Sequence, residues 1–486
     1  MRKYLICLLS FFLLLVGCTV PEKPKEPIDD PGENGTEDPE DPIDDPSVPG
    51  EPGDSDNYVV YINLDGFAKY YYDEAVKRGG VQTLRKLIQE GVMFENLYNL
   101  PPSITNPNQA MIISGATSGK TQNVYRYYDR LNNIVVQQGR ENKAETLYDK
   151  AVELGIPSVS VRHFPAESVF SPTDPTRLYV TEPSGTEADA AARFDQAIKL
   201  VRGNSFQNGT SPMRLEEVPR FLTIYCDDLD ALGHNEKDAY GYKKASTENG
   251  RLNNVLAALE TIDQKLAELI QAYKDRGIYE KTTFFLTTDH GMTPFGAPSI
   301  LESLFSKYSH SKWPALRDKL KSINKDYVFE YLGPGEKPSP STTIVGVGVG
   351  LQMQLTFLDS SVTENELESI KRELLKEEYV QAVLTKKELL QQGYWRGANV
   401  DLLVIPSERY HFHGRENPSG NYAVRGQHDT ILDSSRHIYG IVWGYRVKKI
   451  GLEEKEYLVP QFGVAMAEML GFTLKDANVG RMDIFD

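Results

Sequence analysis

The stretch Tyr58-Val-Val-Tyr-Ile-Asn-Leu64 is a nearly unbroken apolar run that ends at Asp65-Gly66. A run of this length without polar alternation is typical of a strand buried on both faces of a parallel sheet. Two later stretches, Phe221-Leu-Thr-Ile-Tyr225 and Thr283-Phe-Phe-Leu-Thr287, have the same character. The sequence therefore predicts at least three buried strands, each followed closely by acidic residues.

Helical patterns separate these strands. A first helix is marked by Val81, Leu84, Leu87 and Ile88, and a long amphipathic helix carries Leu252, Val255, Leu256, Leu259, Ile262, Leu266 and Leu269 on one face. Strands that alternate with helices predict an α/β fold, a mostly parallel sheet flanked by helices on both faces. In such sheets ligands bind at the carboxyl ends of the strands.

Residues 294–425 have a different pattern, which predicts a small α+β insertion between a first core segment, 58–293, and a second, 426–486. Leu351, Met353, Leu355 and Phe357 alternate with polar residues, as in a strand with one exposed face. Thr363-Glu-Asn-Glu366 is a capping box that predicts the start of a helix. Asp401-Leu-Leu-Val-Ile405 predicts another strand.

The N-terminus has the pattern of an export signal. Arg2 and Lys3 precede an apolar run from Tyr4 to Val16, which is too short to span a bilayer. The ending Leu15-Val-Gly-Cys18 resembles a bacterial lipobox, and a short buried helix is the alternative. We therefore expect residues 1–17 to be a lipoprotein signal peptide and Cys18 to be lipidated. The mature protein would be anchored to the outer face of the cytoplasmic membrane or to the outer membrane.

Residues 18–57 form an acidic, proline-rich linker in this interpretation. Residues 19–57 hold fourteen acidic residues against Lys23 and Lys25, which accounts for most of the net charge of −16. Such a segment buries too little apolar surface to fold. The remainder lacks the basic face needed to bind a nucleic-acid duplex. After processing and lipidation of Cys18, Cys226 would be the one remaining free thiol, so no internal disulfide is expected.

Three separate segments place Asp and His after apolar strands: Asp65-Gly66, the stretch from Asp227 to His234, and Thr288-Asp289-His290. A lone Asp after a strand is more often a turn former or a helix cap. The adjacent Asp289-His290 pair and the spacing of four between Asp230 and His234 favour metal binding. Carboxylate and imidazole ligands without thiolates suit zinc, manganese or a similar divalent metal, and their number indicates two ions.

With these landmarks the chain resembles the type I phosphodiesterase and nucleotide pyrophosphatase family of the alkaline phosphatase superfamily. The resemblance runs from Tyr58 to the C-terminus. It is carried, in order, by Asp65-Gly-Phe67, Gly91-Val-Met-Phe94, Pro102-Ser-Ile-Thr-Asn-Pro-Asn108, Asp230-x-x-Gly-His234, Asp289-His-Gly-Met292 and Gly426-Gln-His428.

The resemblance implies an alkaline-phosphatase-like fold, two divalent metal ions with zinc as the expected metal, and Thr105 as the nucleophile. It assigns Asp65, Thr105, Asp289 and His290 to one metal, and Asp230, His234 and His428 to the other. Coordination of a threonine hydroxyl to a metal is one way to make it nucleophilic near neutral pH. The hydrolysis would proceed through a phosphothreonine intermediate.

Two positions depart from the family pattern. Gln109 stands where the family often has His, with little consequence expected. Downstream of Gly115, the asparagine that contacts the phosphoryl oxygen in nucleotide-cleaving members has no clear match. Asn106, Asn123, Tyr125 and Arg126 are the candidate substrate contacts. Arg126 in that role would favour a dianionic monoester.

The leading hypothesis is therefore a metal-dependent hydrolase of phosphodiester or pyrophosphate bonds that acts on a small phosphate ester, with nucleotide-derived esters among the candidates. A phosphomonoesterase or phosphonate hydrolase on the same scaffold is the close alternative, because the fold and the metal site do not fix the leaving group. A sulfatase is disfavoured because Thr105-Asn-Pro-Asn108 is not a Cys-x-Pro-x-Arg type motif. A non-catalytic surface-binding lipoprotein is the hypothesis from another class. The oligomeric state is left open.

Overall fold

A computed structural model describes residues 57–182 and 188–486 of the protein. The predicted signal peptide, Cys18 and nearly all of the predicted linker lie outside the described residues. Within the described part, no helix is both long enough and apolar enough to cross a membrane.

The strands and α-helices alternate through much of the described chain. The strands are β1 (Tyr58–Leu64), β2 (Gly91–Tyr98), β3 (Arg126–Asp129), β4 (Ile134–Gln137), β5 (Ser158–Val161), β6 (Arg177–Val180), β7 (Phe206–Asn208), β8 (Ser211–Met213), β9 (Phe221–Cys226), β10 (Thr282–Thr287), β11 (Thr293–Phe295), β12 (Phe329–Tyr331), β13 (Ile344–Val349), β14 (Gln352–Phe357), β15 (Val380–Thr385), β16 (Leu402–Pro406), β17 (Arg425–Gln427), β18 (Ile441–Gly444) and β19 (Gly451–Leu458). The helices are α1 (Lys69–Lys77), α2 (Gln82–Leu87), α3 (Thr105–Ser114), α4 (Ser118–Thr121), α5 (Leu147–Glu153), α6 (Ala190–Val201), α7 (Asp228–His234), α8 (Glu248–Asp275), α9 (Trp313–Ile323), α10 (Glu364–Leu374), α11 (Lys386–Gln391), α12 (Asp433–Arg436) and α13 (Gln461–Leu470).

The central sheet has eight strands in the order β19-β2-β18-β10-β1-β9-β5-β6. Strand β18 runs antiparallel to both of its neighbours, and the other seven strands are parallel to one another. This sheet, with helices packed on it, confirms the predicted α/β fold class.

Alternate side chains of β1 enter two different hydrophobic clusters, which explains why the strand is apolar throughout. Val60 and Ile62 pack in the cluster that contains the buried face of α8. Val59 and Tyr61 pack on the opposite face, in the cluster that contains α13. Each face of the sheet is thus covered by helices, as expected for buried parallel strands.

A second sheet has the order β12-β13-β14-β16-β15 and lies within the predicted insertion. Helices α9 and α10 contribute Leu316, Leu320, Ile370 and Leu374 to the cluster on one of its faces. The capping box is confirmed, because Thr363 and Glu366 make both reciprocal bonds at the start of α10. The antiparallel pair β11–β17 joins residues 293–295 to residues 425–427, at the two ends of this segment.

The prediction that β14 has one exposed face was wrong, because all six of its residues are buried. The polar side chains between its apolar positions are covered rather than solvated. Gln354 donates to the backbone oxygen of Arg126 over 3.0 Å, and Gln352 donates to Asp429 over 2.6 Å. The amide N–H groups of both residues thus donate to partners that are remote in sequence, and an alternating pattern alone does not distinguish such partners from solvent.

Candidate active site

The three predicted acidic segments meet because their strands are adjacent, in the order β10-β1-β9. Asn63 of β1 lies opposite Thr287 of β10, and Leu64 lies opposite Cys226 of β9. The backbone N–H of Asp65 donates to the backbone oxygen of Cys226 over 2.8 Å. Parallel strands in this register end together, so the residues that follow them lie at one edge of the sheet.

Helix α7 begins directly after β9 and contributes two side chains to this edge. Asp230 and His234 are four residues apart, so they share one face of the helix. Nε2 of His234 lies 3.2 Å from Oδ1 of Asp230. Gly66 lets the loop after β1 approach α7, since a Cβ atom at Gly66 would lie 2.9 Å from Cα of Asp230.

One group of side chains surrounds Nε2 of His290. This atom lies 3.0 Å from Oγ1 of Thr105, 3.2 Å from Oδ1 of Asp65 and 3.7 Å from Oδ2 of Asp289. Asp65, Asp289 and His290 are nearly or fully buried, and their candidate ligand atoms all lie within 4.8 Å of one another. The structure thus brings together the four residues that the family resemblance assigned to one metal.

A second group surrounds Asp230. Nε2 of His428 lies 3.6 Å from Oδ1 of Asp230, the same oxygen that His234 contacts. The rings of His290 and His428 stack with their centroids 3.6 Å apart, so the two groups are contiguous. All seven side chains that the sequence predicted as metal ligands therefore lie in one cluster.

Backbone oxygens fix the orientation of the three imidazoles by contacting the Nδ1 atom of each ring. Nδ1 of His290 lies 2.9 Å from the backbone oxygen of Gly291, and Nδ1 of His234 lies 2.9 Å from that of Gly426. Nδ1 of His428 lies 3.0 Å from the backbone oxygen of Ser103. A carbonyl oxygen can only accept, so each Nδ1 carries the proton and donates it. In the neutral form of each ring, Nε2 then has no proton and its lone pair faces the cluster, the arrangement found in metal-binding histidines.

The carboxylates also fit a site for cations. Oδ1 of Asp65, Oδ1 of Asp230 and Oδ2 of Asp289 are buried and have no hydrogen-bond partner in the described structure. Burial, followed by repulsion from Asp289 and Asp230, holds the pKa of Asp65 well above its usual range. Buried carboxylates without partners are costly unless a positive charge neutralises them. Oxygen and nitrogen donors of this kind suit divalent zinc and similar ions.

Thr105 is the first residue of α3, and the residue before it has an extended backbone. No side chain caps this end of the helix. The first backbone N–H groups of α3 are therefore available to an anion, which the helix dipole also favours. Asn108 anchors the turn before the helix by donating to the backbone oxygen of Pro102 over 2.7 Å.

A cavity of about 570 Å³ opens beside Thr105. Asp65, Asp230, His234 and His428 line it together with Thr105. Two of the four predicted substrate contacts, Asn106 and Tyr125, also line it. These two stay candidates for binding the organic part or the phosphoryl group of a substrate.

The other two predicted substrate contacts, Asn123 and Arg126, are not among the cavity-lining residues. Asn123 is fully buried, and its amide donates to the backbone oxygens of Gly139 and Glu141 over 3.1 and 2.8 Å. Arg126 donates to the backbone oxygen of Gly348 over 2.8 Å and to Gln137 over 2.7 Å. Both side chains instead hold the β3–β4 hairpin in place, and their role as substrate contacts stays a prediction.

Several residues at the cavity were not predicted from the sequence. Tyr225 donates its hydroxyl to Oδ2 of Asp65, and Arg140, Arg162 and Arg193 line the wall beside Thr105. Tyr225 stands two residues before Asp227 on a predicted strand, so its position held a usable signal. The arginines come from three separate segments, and nothing in their local sequence relates them to Thr105.

Gln109, the departure from the family pattern, is fully buried behind the site. It donates to Oδ1 of Asn63 over 2.8 Å, and its oxygen lies 2.8 Å from Nε2 of His163. Since the glutamine oxygen accepts, Nε2 of His163 carries the proton. Gln109 therefore joins β1 to the loop after β5 and does not reach the cavity.

The sequence matches the family described as type I phosphodiesterase / nucleotide pyrophosphatase over residues 59–430. Human bis(5'-adenosyl)-triphosphatase ENPP4 is 24% identical over 292 residues, covering 56% of this chain and 57% of the human protein. The Caenorhabditis elegans ectonucleotide pyrophosphatase/phosphodiesterase C27A7.1 is 23% identical over 48% of this chain and 26% of its own. The chain thus spans about half the length, or less, of these curated relatives.

Solved structures show the same fold. Mouse ectonucleotide pyrophosphatase / phosphodiesterase 5 aligns with a TM-score of 0.58 at 14% identity, covering 87% of this chain and 97% of the mouse chain. An inactive variant of that mouse protein in complex with AMP aligns equally well. The human counterpart has a TM-score of 0.57 at 16% identity.

Proposed function

We propose that this chain, which belongs to the type I phosphodiesterase / nucleotide pyrophosphatase family, hydrolyses phosphodiester or pyrophosphate bonds with Thr105 as its nucleophile and two divalent metal ions, zinc by preference. The observation that carries the proposal is the contact of 3.0 Å between Oγ1 of Thr105 and Nε2 of His290. It places a hydroxyl among buried carboxylates and imidazoles, at the mouth of a cavity that can hold a substrate.

The metal ions, when bound, would lower the pKa of the attacking hydroxyl and offset negative charge on the phosphoryl group and the leaving oxygen. Asp65, Asp289 and His290 would hold the ion next to Thr105. Asp230, His234 and His428 would hold the ion on the side of the leaving group. Among the described residues, the ion-pair partners of Asp65, Asp230 and Asp289 are histidines, with no Lys or Arg among them.

The position of Thr105 at the start of α3 determines what the protein's own residues do in the reaction. Oγ1 of Thr105 forms a bond to phosphorus while the bond from phosphorus to the leaving oxygen breaks. The free N–H groups at the start of α3 donate to the equatorial phosphoryl oxygens, where charge is spread in the transition state. Water then cleaves the bond between phosphorus and Thr105 and regenerates the hydroxyl.

A nucleotide-derived diester is the substrate class that we propose. The names of the relatives refer to a bis-adenosyl triphosphate and to nucleotide pyrophosphates, and the mouse neighbour binds AMP. Tyr125 and Phe164 line the cavity and offer flat faces for a base or another planar group. Arg126 does not line the cavity, so no contact in the described structure supports the preference for a dianionic monoester. Phosphomonoesters and phosphonates remain the second candidate class.

We also propose that the enzyme acts outside the cytoplasm as a lipoprotein anchored through Cys18. The support is the sequence pattern of Arg2, Lys3, the apolar run and the ending Leu15-Val-Gly-Cys18. Metabolic labelling with palmitate should mark the full-length protein and not its Cys18→Ser variant. Labelling that is equal in the two proteins would contradict the anchor.

Hydrolysis assays on the purified protein test the activity. Metal content is measured first, and rates are then compared on bis-p-nitrophenyl phosphate, p-nitrophenyl phosphate and the p-nitrophenyl ester of thymidine 5′-monophosphate. We expect bound zinc, a preference for the diesters, and a loss of at least about a thousandfold in Thr105→Ala. Equal inactivity of both proteins on all three esters would instead support a non-catalytic binding lipoprotein.

A further inference from the structure

We infer that Arg140 and Arg162 form a subsite for a second anionic group of the substrate, a phosphate or a carboxylate, beside the scissile phosphoryl group. This inference rests on the proposed function, because it names the class of ester that the same cavity accepts. Both arginines line the cavity that contains Thr105, although neither contacts the candidate metal ligands.

Arg162 occupies a position where ligand-binding residues are common. It directly follows β5, whose carboxyl end is at the same edge of the sheet as those of β1 and β9. Its backbone has a φ of 61°, in the left-handed region that is unfavourable for a residue with a side chain. Such strain in a cavity wall is often retained for function.

The guanidinium of Arg162 has few polar contacts among the described residues. Among the described residues, its one ion pair joins Nε to Glu182 over 3.4 Å, and Nε has no hydrogen-bond partner there. Glu182 is shared, since it also accepts a hydrogen bond of 2.9 Å from Arg193. Two guanidinium groups thus depend on this carboxylate, and Arg162 has the longer contact.

Arg193 is committed to the structure and is therefore not part of the proposed subsite. Its side chain is 3% exposed, and it bonds to the backbone oxygen of Tyr225 and to Asp227 as well as to Glu182. It adds no free positive charge to this wall, because Glu182 and Asp227 neutralise it.

Arg140 faces the cavity from a separate loop. Its guanidinium lies 4.5 Å from the ring centroid of Phe164 and forms an ion pair with Glu167. The side chains of Arg140 and Glu167 are 55% and 50% exposed, so this pair contributes little stability and can rearrange. Stacking on Phe164 limits the motion of the Arg140 guanidinium. Its N–H groups that are not bonded to Glu167 can donate to an oxyanion.

A phosphate or a carboxylate is the ligand chemistry that two such guanidinium groups recognise, because both present oxygen pairs that match the fork of N–H donors. A neutral sugar or alkyl group in the same place would leave these donors unpaired. The favoured substrate is accordingly a diester whose organic part carries an additional acidic group.

Three matched substrates test the subsite: p-nitrophenyl esters of thymidine 5′-monophosphate that carry a 3′-hydroxyl, a 3′-phosphate or a 3′-succinyl group. We expect kcat/KM to be about tenfold higher for at least one of the charged esters, because charge-assisted hydrogen bonds contribute about 1.5 kcal/mol or more. Comparison of the 3′-phosphate with the 3′-succinyl ester shows which oxyanion is preferred.

Arg140→Gln and Arg162→Gln should each bring the ratio of charged to neutral kcat/KM close to one. Arg177→Gln is the matched control, because Arg177 is exposed, is paired with Asp174 and does not line the cavity. It should leave the ratio at its wild-type value. A wild-type ratio near one for both charged esters, or a raised ratio that survives in both variants, would overturn the inference.

Binding separates this inference from the proposed function. If the wild-type protein hydrolyses none of the three esters, the proposed function fails for these substrates. The affinities of the Thr105→Ala protein for thymidine 5′-monophosphate and thymidine 3′,5′-bisphosphate still test the subsite. Tighter binding of the bisphosphate that is lost with Arg162→Gln supports it, and equal affinities contradict it.

Discussion

Gly66 and Asp230 are so close that a Cβ atom on Gly66 would lie 2.9 Å from Cα of Asp230. The two residues belong to different candidate metal groups, because Gly66 follows Asp65 whereas Asp230 lies on α7. The contact therefore sets the distance between the two groups. Gly66 also has a φ of 76°, which residues with side chains rarely adopt.

Gly66→Ala should separate the two candidate metal groups. The added methyl group must displace either the loop after β1 or helix α7, so we expect activity to fall at least about tenfold, together with a loss of roughly 1–2 kcal/mol in the free energy of unfolding. Kinetics and urea unfolding measure the two effects. Gly79→Ala is the control, since Gly79 has a φ of 81° but open space around it. Equal activity losses in the two variants would contradict this account.

Tyr225→Phe should weaken metal binding while leaving the fold intact. The hydroxyl of Tyr225 donates to Oδ2 of Asp65 and so orients that carboxylate. Loss of such a bond behind a metal ligand typically lowers affinity about 10–100-fold. Titration of the metal-free protein with zinc measures the change. Tyr273→Phe is the matched control, because the buried hydroxyl of Tyr273 has no partner among the described residues. An unchanged zinc affinity in Tyr225→Phe would refute the prediction.

Gln352→Leu should lower kcat more than it raises KM. Gln352 donates to Oδ1 of Asp429 over 2.6 Å. The same Oδ1 accepts from the backbone N–H of Ser103, and the backbone N–H of Asp429 donates to the backbone oxygen of Ser103. The backbone oxygen of Ser103 in turn accepts from Nδ1 of His428 and fixes its ring. Ser103 stands two residues before Thr105 in the sequence. Gln352 is thus a positioning residue that acts through these contacts. Loss of a buried hydrogen bond of this kind costs about 1–3 kcal/mol.

Gln354→Leu provides the matched comparison, since Gln354 lies on the same strand and face but donates to the backbone of Arg126. Both variants should lose stability to a similar extent, as thermal unfolding would show. A kcat that falls equally in both would mean that Gln352 has no specific role at the site.

His163 should make the stability of the protein depend on pH. Burial lowers the pKa of His163 from its ordinary value of 6.5 to about 3. Below pH 6.5 the unfolded chain takes up a proton at His163, whereas the folded state stays neutral at this position until the pH approaches 3. The contribution of His163 to stability is therefore fully present above pH 6.5 and is lost as the pH falls toward 3. At pH 5 the loss is about 2 kcal/mol.

His163→Gln removes this titration. The difference in the free energy of unfolding between the wild-type and variant proteins should therefore shrink by about 2 kcal/mol from pH 7 to pH 5. Urea unfolding at the two pH values measures it, and other titrating groups cancel in the comparison. A difference that is the same at both pH values would show that His163 titrates normally.

The fold class and the clustering of the candidate metal ligands were predictable from the sequence because each rests on local signals. Apolar strands without alternation, such as β1, reveal burial on both faces, and a carboxylate that follows such a strand must lie at the sheet edge. Once Asp65 and Asp289 are placed on adjacent strands, their proximity follows from parallel geometry.

The wall of the cavity was not predictable in the same way. Arg140 and Arg162 come from different connections, and their convergence with Phe164 depends on how loops pack. The burial of the polar face of β14 was not predicted for the same reason, since Gln352 and Gln354 bond to partners far away in sequence. Periodicity shows which side chains can be buried but not which remote groups will bury them.

The stereochemistry at phosphorus tests the central claim most directly. A phosphorothioate diester of known configuration is hydrolysed in isotopically labelled water, and the configuration of the product is determined. Attack by Thr105 followed by attack of water makes two in-line displacements, each of which inverts the centre, so this account predicts overall retention. Overall inversion would mean direct attack by water, and Thr105 would then not be the nucleophile.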